Sequence, residues 1–155
     1  MNKWGVDIVE AIVRCAQAVD KDKLISFLHE ANLGTEGVEE AIEYFLIMED
    51  EQSSIQATLG VEPFGSFGLL RSLAMTSRAR ENDLFIIFEQ MLKLAREKQL
   101  MSLYLATNKP SSVQFFKLLG FEMVEQRDLP QKLFTSEHVN HILNVDNSLF
   151  MELKL

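Results

Sequence analysis

The sequence has one cysteine, three prolines, seven glycines and no long apolar run. A single cysteine, Cys15, excludes an internal disulfide and a zinc site built from several cysteines. Uncharged stretches such as Gln52–Val61 are far shorter than the roughly 20 apolar residues of a membrane-spanning helix. No basic segment followed by an apolar run and a cleavage site is present, so no secretory signal is expected. With 155 residues, 47% of them hydrophobic, the chain predicts one domain over 1–155, with 1–9 as a short lead-in, and a cytoplasmic location.

Basic residues are missing from much of the first half. Leu24–Leu70 holds no Lys or Arg but nine Asp or Glu residues, whereas residues 71–155 hold eleven bases and ten acids. The net charge of −8 argues against a nucleic-acid backbone or an anionic membrane surface as partner. The acidic half is either a solvated surface or a side that favours a cationic ligand group.

Hydrophobic periodicity predicts strands and helices in mixed order. The predicted strands are Ile12–Gln17, Tyr44–Met48, Ser54–Val61, Leu69–Met75, Leu103–Ala106, Phe121–Val124 and Ser148–Leu155. The predicted helices are Asp20–Leu33, capped by Asp20 and stopped by Gly34, a short one at Val38–Ile42, Leu84–Gln99, and Ser111–Leu119, stopped by Gly120. Pro63–Gly68 is predicted as a turn, and Leu129–Asn140 as irregular or helical. This order predicts an α/β (α+β) fold, a mixed and mostly antiparallel sheet with helices on both faces.

The most specific motif lies between Leu103 and Glu122. It reads Leu-Tyr-Leu-Ala-Thr-Asn-Lys-Pro over 103–110 and Phe-Phe-Lys-Leu-Leu-Gly-Phe-Glu over 115–122. This strand, Asn-bearing turn, aromatic pair and Leu-Gly-Phe step resemble the GNAT superfamily of N-acetyltransferases, over nearly all of the chain. The runs Asn-Leu-Gly-Thr-Glu-Gly at 32–37, Leu-Arg-Ser-Leu-Ala at 70–74 and Asp-Leu-Pro at 128–130 are most similar to small bacterial amino-acid acetyltransferases of the arsenic-associated type.

The resemblance implies that acetyl-CoA, as cosubstrate, binds where two parallel strands splay apart. Those strands would be Leu69–Met75 and Leu103–Ala106, joined by a right-handed crossover through the helix Leu84–Gln99. The pantetheine arm would lie beside the end of the first strand, and the pyrophosphate at the N-terminus of the crossover helix. The residues implied in cofactor binding are Leu73, Ala74, Met75, Arg78, Arg80, Asn82, Asp83, Leu84, Asn108 and Phe116.

The chain departs from the family pattern in the pyrophosphate loop. The family loop reads Gln/Arg-x-x-Gly-x-Gly/Ala, whereas residues 78–84 read Arg-Ala-Arg-Glu-Asn-Asp-Leu, and no glycine occurs from Leu69 to Leu119. Arg78 and Arg80 are either phosphate ligands or solvated charges. Asn82 and Asp83 can take left-handed backbone angles or cap the helix.

The second departure is Phe116, which stands where many relatives carry a tyrosine that can protonate the departing CoA thiolate. A phenyl ring has no proton to give, so the sequence predicts no general acid there. No catalytic residue is assigned. Glu62 is either an exposed turn carboxylate or a base acting through a water. Arg71 either binds the carboxylate of an acceptor or pairs with an acidic residue of a neighbouring strand.

No metal site is predicted. His138 and His141 have a spacing that could hold a metal on a helix, but only Glu137 and Asp146 offer carboxylates nearby. The resemblance implies transfer of an acetyl group from acetyl-CoA to the amine of a small molecule such as an amino acid. The alternative is a weak or inactive GNAT-fold protein that acts as an acyl-CoA-binding or protein-interaction module. A homodimer is left open.

Overall fold

A computed structural model describes residues 12–143 and 148–155. The predicted lead-in at 1–9 and Asp146 lie outside the described residues. The strands are β1 Ile12–Cys15, β2 Phe45–Glu49, β3 Ile55–Phe64, β4 Phe67–Met75, β5 Ser102–Thr107, β6 Glu122–Val124 and β7 Leu149–Lys154. The helices are α1 Lys21–Glu30, α2 Glu81–Glu97, α3 Pro110–Leu118 and α4 Glu137–Leu143. Single 3-10 turns occupy Ala18–Asp20, Ile42–Tyr44, Gln126–Asp128 and Gln131–Thr135.

The strands form one mixed sheet in the order β1-β2-β3-β4-β5-β7-β6. Strand β2 pairs antiparallel with β1 and β3, and β7 pairs antiparallel with β5 and β6. Strands β4 and β5 pair in parallel, with α2 as their crossover. The predicted fold class, a mostly antiparallel sheet with one parallel pair, is confirmed. None of the described helices is both long and apolar enough to cross a bilayer.

Contacts within the chain group it into two compact units, and each contains part of the sheet. Of the described residues, 12–60 and 72–91 belong to the first unit, and 61–71, 92–143 and 148–155 to the second. Strands β3 and β4 and helix α2 each contribute residues to both units. The single domain over 1–155 stays a prediction.

The core of the first unit forms where α1 packs on β2. Leu24 and Leu28 lie four residues apart on one face of α1, and both are fully buried. They share a cluster with Phe45 and Ile47 of β2, and β2 is buried along its whole length. Gly60 of β3 leaves room for the Phe45 ring, because a Cβ at Gly60 would lie 2.4 Å from a ring carbon.

The core of the second unit lies between the sheet and the connection from β6 to β7. Sheet residues of this cluster come from β4, β5 and β7, and three residues of the connection cover them: Leu69, Tyr104, Phe150, Leu129, Leu133 and Val139. The segment Leu129–Asn140, predicted as irregular or helical, thus contains one 3-10 turn and most of α4, and its buried apolar residues pack against the sheet.

Helices α1, α2 and α3 end in the same hydrogen-bonded turn. In each, a residue with positive φ follows the helix: Asn32 (60°), Gln99 (63°) and Gly120 (105°). The amide of the following residue donates to a carbonyl five positions back, as Leu33 does to Leu28 at 2.9 Å. The predicted stop at Gly120 is correct, whereas α1 ends before Gly34 because Asn32 takes the left-handed position.

One local prediction is wrong, and another is right in kind but too wide. Residues 38–41 form turns, and only Ile42–Tyr44 forms a single 3-10 turn, so the short helix at Val38–Ile42 is absent. The predicted turn Pro63–Gly68 is reduced to two residues, since β3 runs through Pro63 to Phe64 and β4 begins at Phe67. Gly65 supplies a φ of 68°, which a two-residue hairpin needs at its first position.

Asp20 does not cap α1 with its side chain, contrary to the prediction. Its carboxylate accepts two hydrogen bonds from the Arg14 guanidinium, both at 2.7 Å, and one from the Gln17 amide at 2.8 Å. Arg14 also donates to Glu49, which pairs with Lys23 at 3.3 Å. The hydrogen bonds from Arg14 lower the pKa of Asp20 from 3.8 to about 2. This ion network, in which the two carboxylates are buried and the two cations are partly exposed, ties β1, β2 and α1 together.

We expect Asp20→Asn to lower the free energy of unfolding near neutral pH by about 2 kcal/mol, since each pKa unit is worth about 1.4 kcal/mol. Because the folded-state pKa is depressed, this contribution is present above about pH 4 and is lost as the pH falls through about 2. Urea unfolding at several pH values should show wild type and variant converging at low pH. Asp22→Asn, on the exposed side of α1, is the control and should not show this pattern. A loss of unfolding free energy in Asp22→Asn that also disappears at low pH would contradict the assignment to Asp20.

We expect Gln99→Gly to raise the free energy of unfolding by about 1 kcal/mol, because glycine adopts the left-handed conformation without the steric cost that glutamine bears. Gln90→Gly, at an exposed position inside α2, is the matched control and should lower it by about 1 kcal/mol. Chemical unfolding measures both. Equal destabilisation by the two substitutions would show that Gln99 is not strained.

Candidate functional site

In the first unit, the loop after β4 leads into the N-terminus of α2. The helix begins at Glu81, three residues before the predicted start at Leu84. The early start follows from a cap, because the Arg80 amide donates to the Asp83 carboxylate at 2.8 Å. The Leu84 amide donates to the Arg80 carbonyl at 3.2 Å, as in a regular first turn. By helix geometry, the amides of Glu81 and Asn82, both exposed residues, have no intrahelical acceptor.

The loop is anchored to β3 and to the turn between β2 and β3. The Thr76 amide donates to the Gln56 carbonyl at 2.9 Å, and the Thr76 hydroxyl donates to the Gln56 side chain at 2.8 Å. The Gln56 amide group in turn donates to Asp50 at 3.1 Å, and the Ala79 amide donates to the Thr76 carbonyl at 3.1 Å. These bonds fix the loop before any ligand arrives.

Two arginine side chains extend from this loop into solvent. The Arg78 side chain is 70% exposed and the Arg80 side chain 68% exposed. Their nearest carboxylates are at the long end of the ion-pair range, Asp50 at 3.9 Å from Arg78 and Asp83 at 3.8 Å from Arg80. Amides of Ser54 and Gln52 lower the pKa of Asp50, and Arg78 lowers it further. The acids near both arginines are therefore already engaged by backbone amides.

The loop needs no glycine for its backbone conformation. Among the described residues, none from Thr76 to Leu84 has a positive φ. Asn82 and Asp83, whose types tolerate left-handed angles, lie in the first turn of α2 instead. The predicted capping role belongs to Asp83 alone, and Asp83 is buried.

The end of β4 contains a left-handed residue. Ser72 has a φ of 59°, and its carbonyl accepts a bond from the Thr58 hydroxyl at 2.9 Å. A positive φ inside a strand distorts the backbone locally and redirects the groups that follow. Of these, Leu73 is 36% exposed, Ala74 is buried in the core of the first unit, and Met75 is half-buried.

In the second unit, the parallel register of β4 and β5 is short. It joins Phe67 to Ser102, Gly68 to Leu103 and Leu69 to Tyr104. Strand β5 continues to Thr107, and over its whole length its other edge pairs with β7. The predicted parallel neighbours are thus confirmed, and their described register ends at Leu69 and Tyr104.

Tyr104 and Glu152 form a hydrogen-bonded pair on this part of the sheet. They are direct cross-strand partners on β5 and β7, and the Tyr104 hydroxyl donates to a Glu152 carboxylate oxygen. Tyr104 is 6% exposed, and the Phe67 ring meets its ring edge-on at 5.9 Å. Burial, together with the bond to Glu152, raises the pKa of Tyr104, so its hydroxyl keeps its proton.

The two predicted acceptor residues lie in the second unit. The Ser136 hydroxyl donates to Glu62 at 3.1 Å and accepts from the Val139 amide at 3.3 Å. Glu62 is therefore a half-buried residue of β3 and not an exposed turn carboxylate. Arg71 is 7% exposed and has an interaction partner.

The remaining predicted residues of the second unit differ in exposure. Asn108 lies in the bend after β5 and is exposed. Phe116 is 8% exposed, and its ring meets those of Phe115 and Phe121 at 5.4 and 6.1 Å. Its role in the core of this unit is thereby established, whereas contact with a cofactor stays a prediction.

No group of three or more His, Cys, Asp or Glu residues that could hold a metal occurs in residues 12–143 and 148–155. The side chains of His138 and His141 lie outside the described set. Sequence reasoning missed the Tyr104–Glu152 pair, because only the register of β5 with β7 brings the two together. A signal was present, since Tyr104 is the one polar residue in the run Leu-Tyr-Leu-Ala at 103–106.

No protein-family model matches the chain. The chain is 33% identical over 141 residues to the uncharacterized protein YwlB of Bacillus subtilis (strain 168), covering 90% of this chain and 95% of YwlB.

Solved structures with the same fold include several acetyltransferases. N-acetylglutamate synthase from Neisseria gonorrhoeae, complexed with coenzyme A and N-acetyl-glutamate, aligns with a TM-score of 0.75 and 17% identity. That alignment covers 97% of this chain and 36% of the synthase, so the chain spans about a third of its length. Rv2747 from Mycobacterium tuberculosis, in complex with CoA, aligns with a TM-score of 0.74 and 17% identity over 93% of this chain and 99% of Rv2747. A GNAT-family acetyltransferase from Staphylococcus aureus aligns with a TM-score of 0.69 and 18% identity over 94% and 99% of the two chains.

Proposed function

The chain belongs to the same family as YwlB and has the GNAT fold, and on this premise we propose that it is an N-acetyltransferase that uses acetyl-CoA and a small-molecule amine such as an amino acid. One observation carries the proposal. The loop after β4 is held by its own hydrogen bonds at the N-terminus of α2 and extends two exposed arginines. The cytoplasmic location and the homodimer stay predictions.

The pyrophosphate of acetyl-CoA is assigned to this loop in the first unit. The free amides of Glu81 and Asn82 and the helix dipole favour an anion there. Arg78 and Arg80 supply the positive charge, and each charge-assisted bond to phosphate contributes about 1.5–3 kcal/mol. Asp83 opposes the anion less than its charge suggests, because its carboxylate is already bonded to the Arg80 amide.

The missing glycines change the binding mode. In the family pattern, glycines let the backbone approach the phosphates closely. Here each position from 78 to 84 carries a side chain, so phosphate recognition moves from backbone amides toward the guanidinium groups. Recognition of this kind is more sensitive to salt, since exposed charges are screened.

The chemistry requires a neutral amine to attack the thioester carbonyl. A C–N bond forms and the C–S bond breaks, the attacking nitrogen loses one N–H proton, and CoA leaves as a thiolate that takes up one proton, so the reaction balances. Backbone amides near Met75, after the left-handed Ser72, are the proposed donors to the thioester oxygen. Leu73 and Ala74 are the proposed neighbours of the pantetheine arm, and Asn108 is retained as a cofactor residue because it is exposed.

The acceptor is assigned to the second unit. Glu62 is proposed to attract the ammonium group of an amino acid, and Arg71 its carboxylate. Both are on strands of this unit, and both have low exposure. Structures of the Neisseria gonorrhoeae synthase contain N-acetyl-glutamate or L-arginine, which supports an amino-acid acceptor for this chain.

A second candidate function is an acyl-CoA-binding protein with little or no turnover. The observation that favours it is Phe116, which is buried among two phenylalanine rings and offers no proton to a leaving thiolate. Ligand binding without thiol release would distinguish this function from the first.

We expect acetyl-CoA at 100 times its Kd to add about 2.7 kcal/mol to stability, which thermal unfolding would detect.

Arg78→Ala and Arg80→Ala should each weaken binding by about tenfold and reduce its dependence on salt, because each removes one phosphate partner. Arg96→Ala, in the last turn of the same helix, is the matched control and should leave the Kd unchanged. An equal loss of affinity in all three variants, or in none, would contradict the arginine site.

We expect Phe116→Tyr to release thiol from acetyl-CoA faster than wild type, since a general acid commonly contributes a factor of ~10²–10⁴ and this position lacks one. Phe115→Tyr adds the same hydroxyl to the neighbouring ring and should not change the rate. Thiol release is followed with a panel of amino acids and polyamines. A wild type that is already fast, with no gain in Phe116→Tyr, would show that another group or water protonates the thiolate.

A further inference from the structure

Within the described part of the chain, Ser72 is the one non-glycine residue with a left-handed backbone inside a strand. Its φ is 59°, whereas the three other such residues, Asn32, Ser53 and Gln99, lie at helix ends or in the connection from β2 to β3. A residue with a Cβ is disfavoured in this conformation and keeps it only where its surroundings impose it. A contact that holds Ser72 in place is therefore expected nearby.

The Thr58 hydroxyl makes such a contact. It donates to the Ser72 carbonyl at 2.9 Å, and Thr58 itself is fully buried on β3. Thr58 is the direct cross-strand partner of Ile47, which belongs to the apolar cluster between α1 and β2. A hydroxyl in such surroundings is costly without a hydrogen bond, so the bond to Ser72 is favoured in the folded chain.

This bond sets the direction of the next backbone amide. The Ser72 carbonyl and the Leu73 amide belong to one planar trans peptide group, in which C=O and N–H point in opposite directions. Because the carbonyl is held toward Thr58, the Leu73 N–H points away from Thr58. Leu73 is 36% exposed, so a ligand can contact the residue that carries this N–H.

The other end of the segment 73–75 is also held by β3. Gln56, two residues before Thr58, accepts the Thr76 amide on its carbonyl at 2.9 Å and the Thr76 hydroxyl on its side chain at 2.8 Å. The segment is thus fixed at both ends within the first unit. A donor that is fixed in advance stabilises a developing charge without reorganising during the reaction.

We propose that Thr58 is a positioning residue for acyl transfer, an assignment that rests on the proposed N-acetyltransferase function. Its hydroxyl holds the Ser72 carbonyl, so that the Leu73 amide is directed at the thioester oxygen of acetyl-CoA. Negative charge develops on that oxygen as the amine attacks, and the Leu73 N–H stabilises the charge only while it keeps this direction. Thr58 acts through the peptide group and takes up no proton.

The test compares Thr58→Val and Thr58→Ser with the control Ile47→Val. Valine has nearly the shape of threonine but lacks the hydroxyl, whereas serine keeps it. Ile47→Val removes one methylene group beside Thr58 and leaves the hydrogen bond intact. Thiol release from acetyl-CoA gives kcat. Difference infrared spectroscopy, with acetyl-CoA labelled with ¹³C at the carbonyl, gives the carbonyl stretch of the bound thioester.

We expect Thr58→Val to lower kcat by up to a factor of ~10²–10³, which is what the loss of one such donor costs. It should also move the carbonyl stretch to higher wavenumber, because a misdirected amide polarises the carbonyl less. The Kd of CoA, which has no thioester, should stay unchanged. Thr58→Ser and Ile47→Val should keep the kcat and the carbonyl stretch of wild type.

The assignment is overturned, and the proposed function stands, if wild type is active and Thr58→Val keeps its kcat and carbonyl stretch. The same holds if Ile47→Val changes both as much as Thr58→Val does, or if Thr58→Ser restores neither. If thermal unfolding shows that Thr58→Val does not fold, Thr58→Cys, which offers the carbonyl a weaker donor, decides in the same way.

Failure of the proposed function has a different result. If wild type binds acetyl-CoA but releases no thiol with any acceptor, the enzyme function fails, and the carbonyl stretch alone supports or overturns the direction of the Leu73 amide. If wild type binds no acetyl-CoA, the proposed function fails and this assignment fails with it.

Discussion

The parallel pairing of β4 with β5 is the constraint on which the rest of the structure depends. Parallel neighbours cannot be joined by a tight turn, so the chain must cross over, and α2 is that crossover. The crossover sets the N-terminus of α2 directly after the end of β4, where Arg80 and Asp83 form the cap. On the other edge of β4 lies β3, which is joined to it by the hairpin at Gly65, and on the other edge of β5 lies β7.

Sequence reasoning succeeded where a residue type determines local structure. Short apolar runs between turn signals, and alternation in the last strand, located the seven strands, and Gly120 correctly predicted the end of α3, because glycine is the usual residue in the left-handed position. It failed at Asn32 and Gln99, which take the same conformation with a side chain present. The turn predicted for residues 63–68 is present at 65–66, but its bounds were too wide, since an isolated proline is compatible with a strand when its neighbours supply the pairing.

In the candidate site, too, features set by local sequence could be predicted, whereas side-chain pairs set by the folded chain could not. The loop from 76 to 84 could be located because it follows a strand and precedes an amphipathic helix. The sequence offered two side chains that could form the capping hydrogen bond, those of Asn82 and Asp83, and could not decide between them, since both residue types are good caps. The Tyr104–Glu152 pair could not be predicted, because the two residues are far apart in sequence and only the strand register opposes them. The Arg14–Asp20 pair was missed because Asp20 was predicted to cap the N-terminus of α1, which directly follows it in sequence.

The loop without glycine has a consequence for conformational entropy. Glycine populates more backbone conformations than any other residue, so a loop rich in glycine loses more freedom when it becomes ordered. The segment 78–84 has a side chain at every position, and hydrogen bonds of Thr76, Ala79 and Arg80 restrict its ends. An anion that binds at this helix start meets a loop that has already lost most of its freedom on folding. The absence of glycine therefore lowers the conformational entropy that this loop would lose on binding the anion proposed for it.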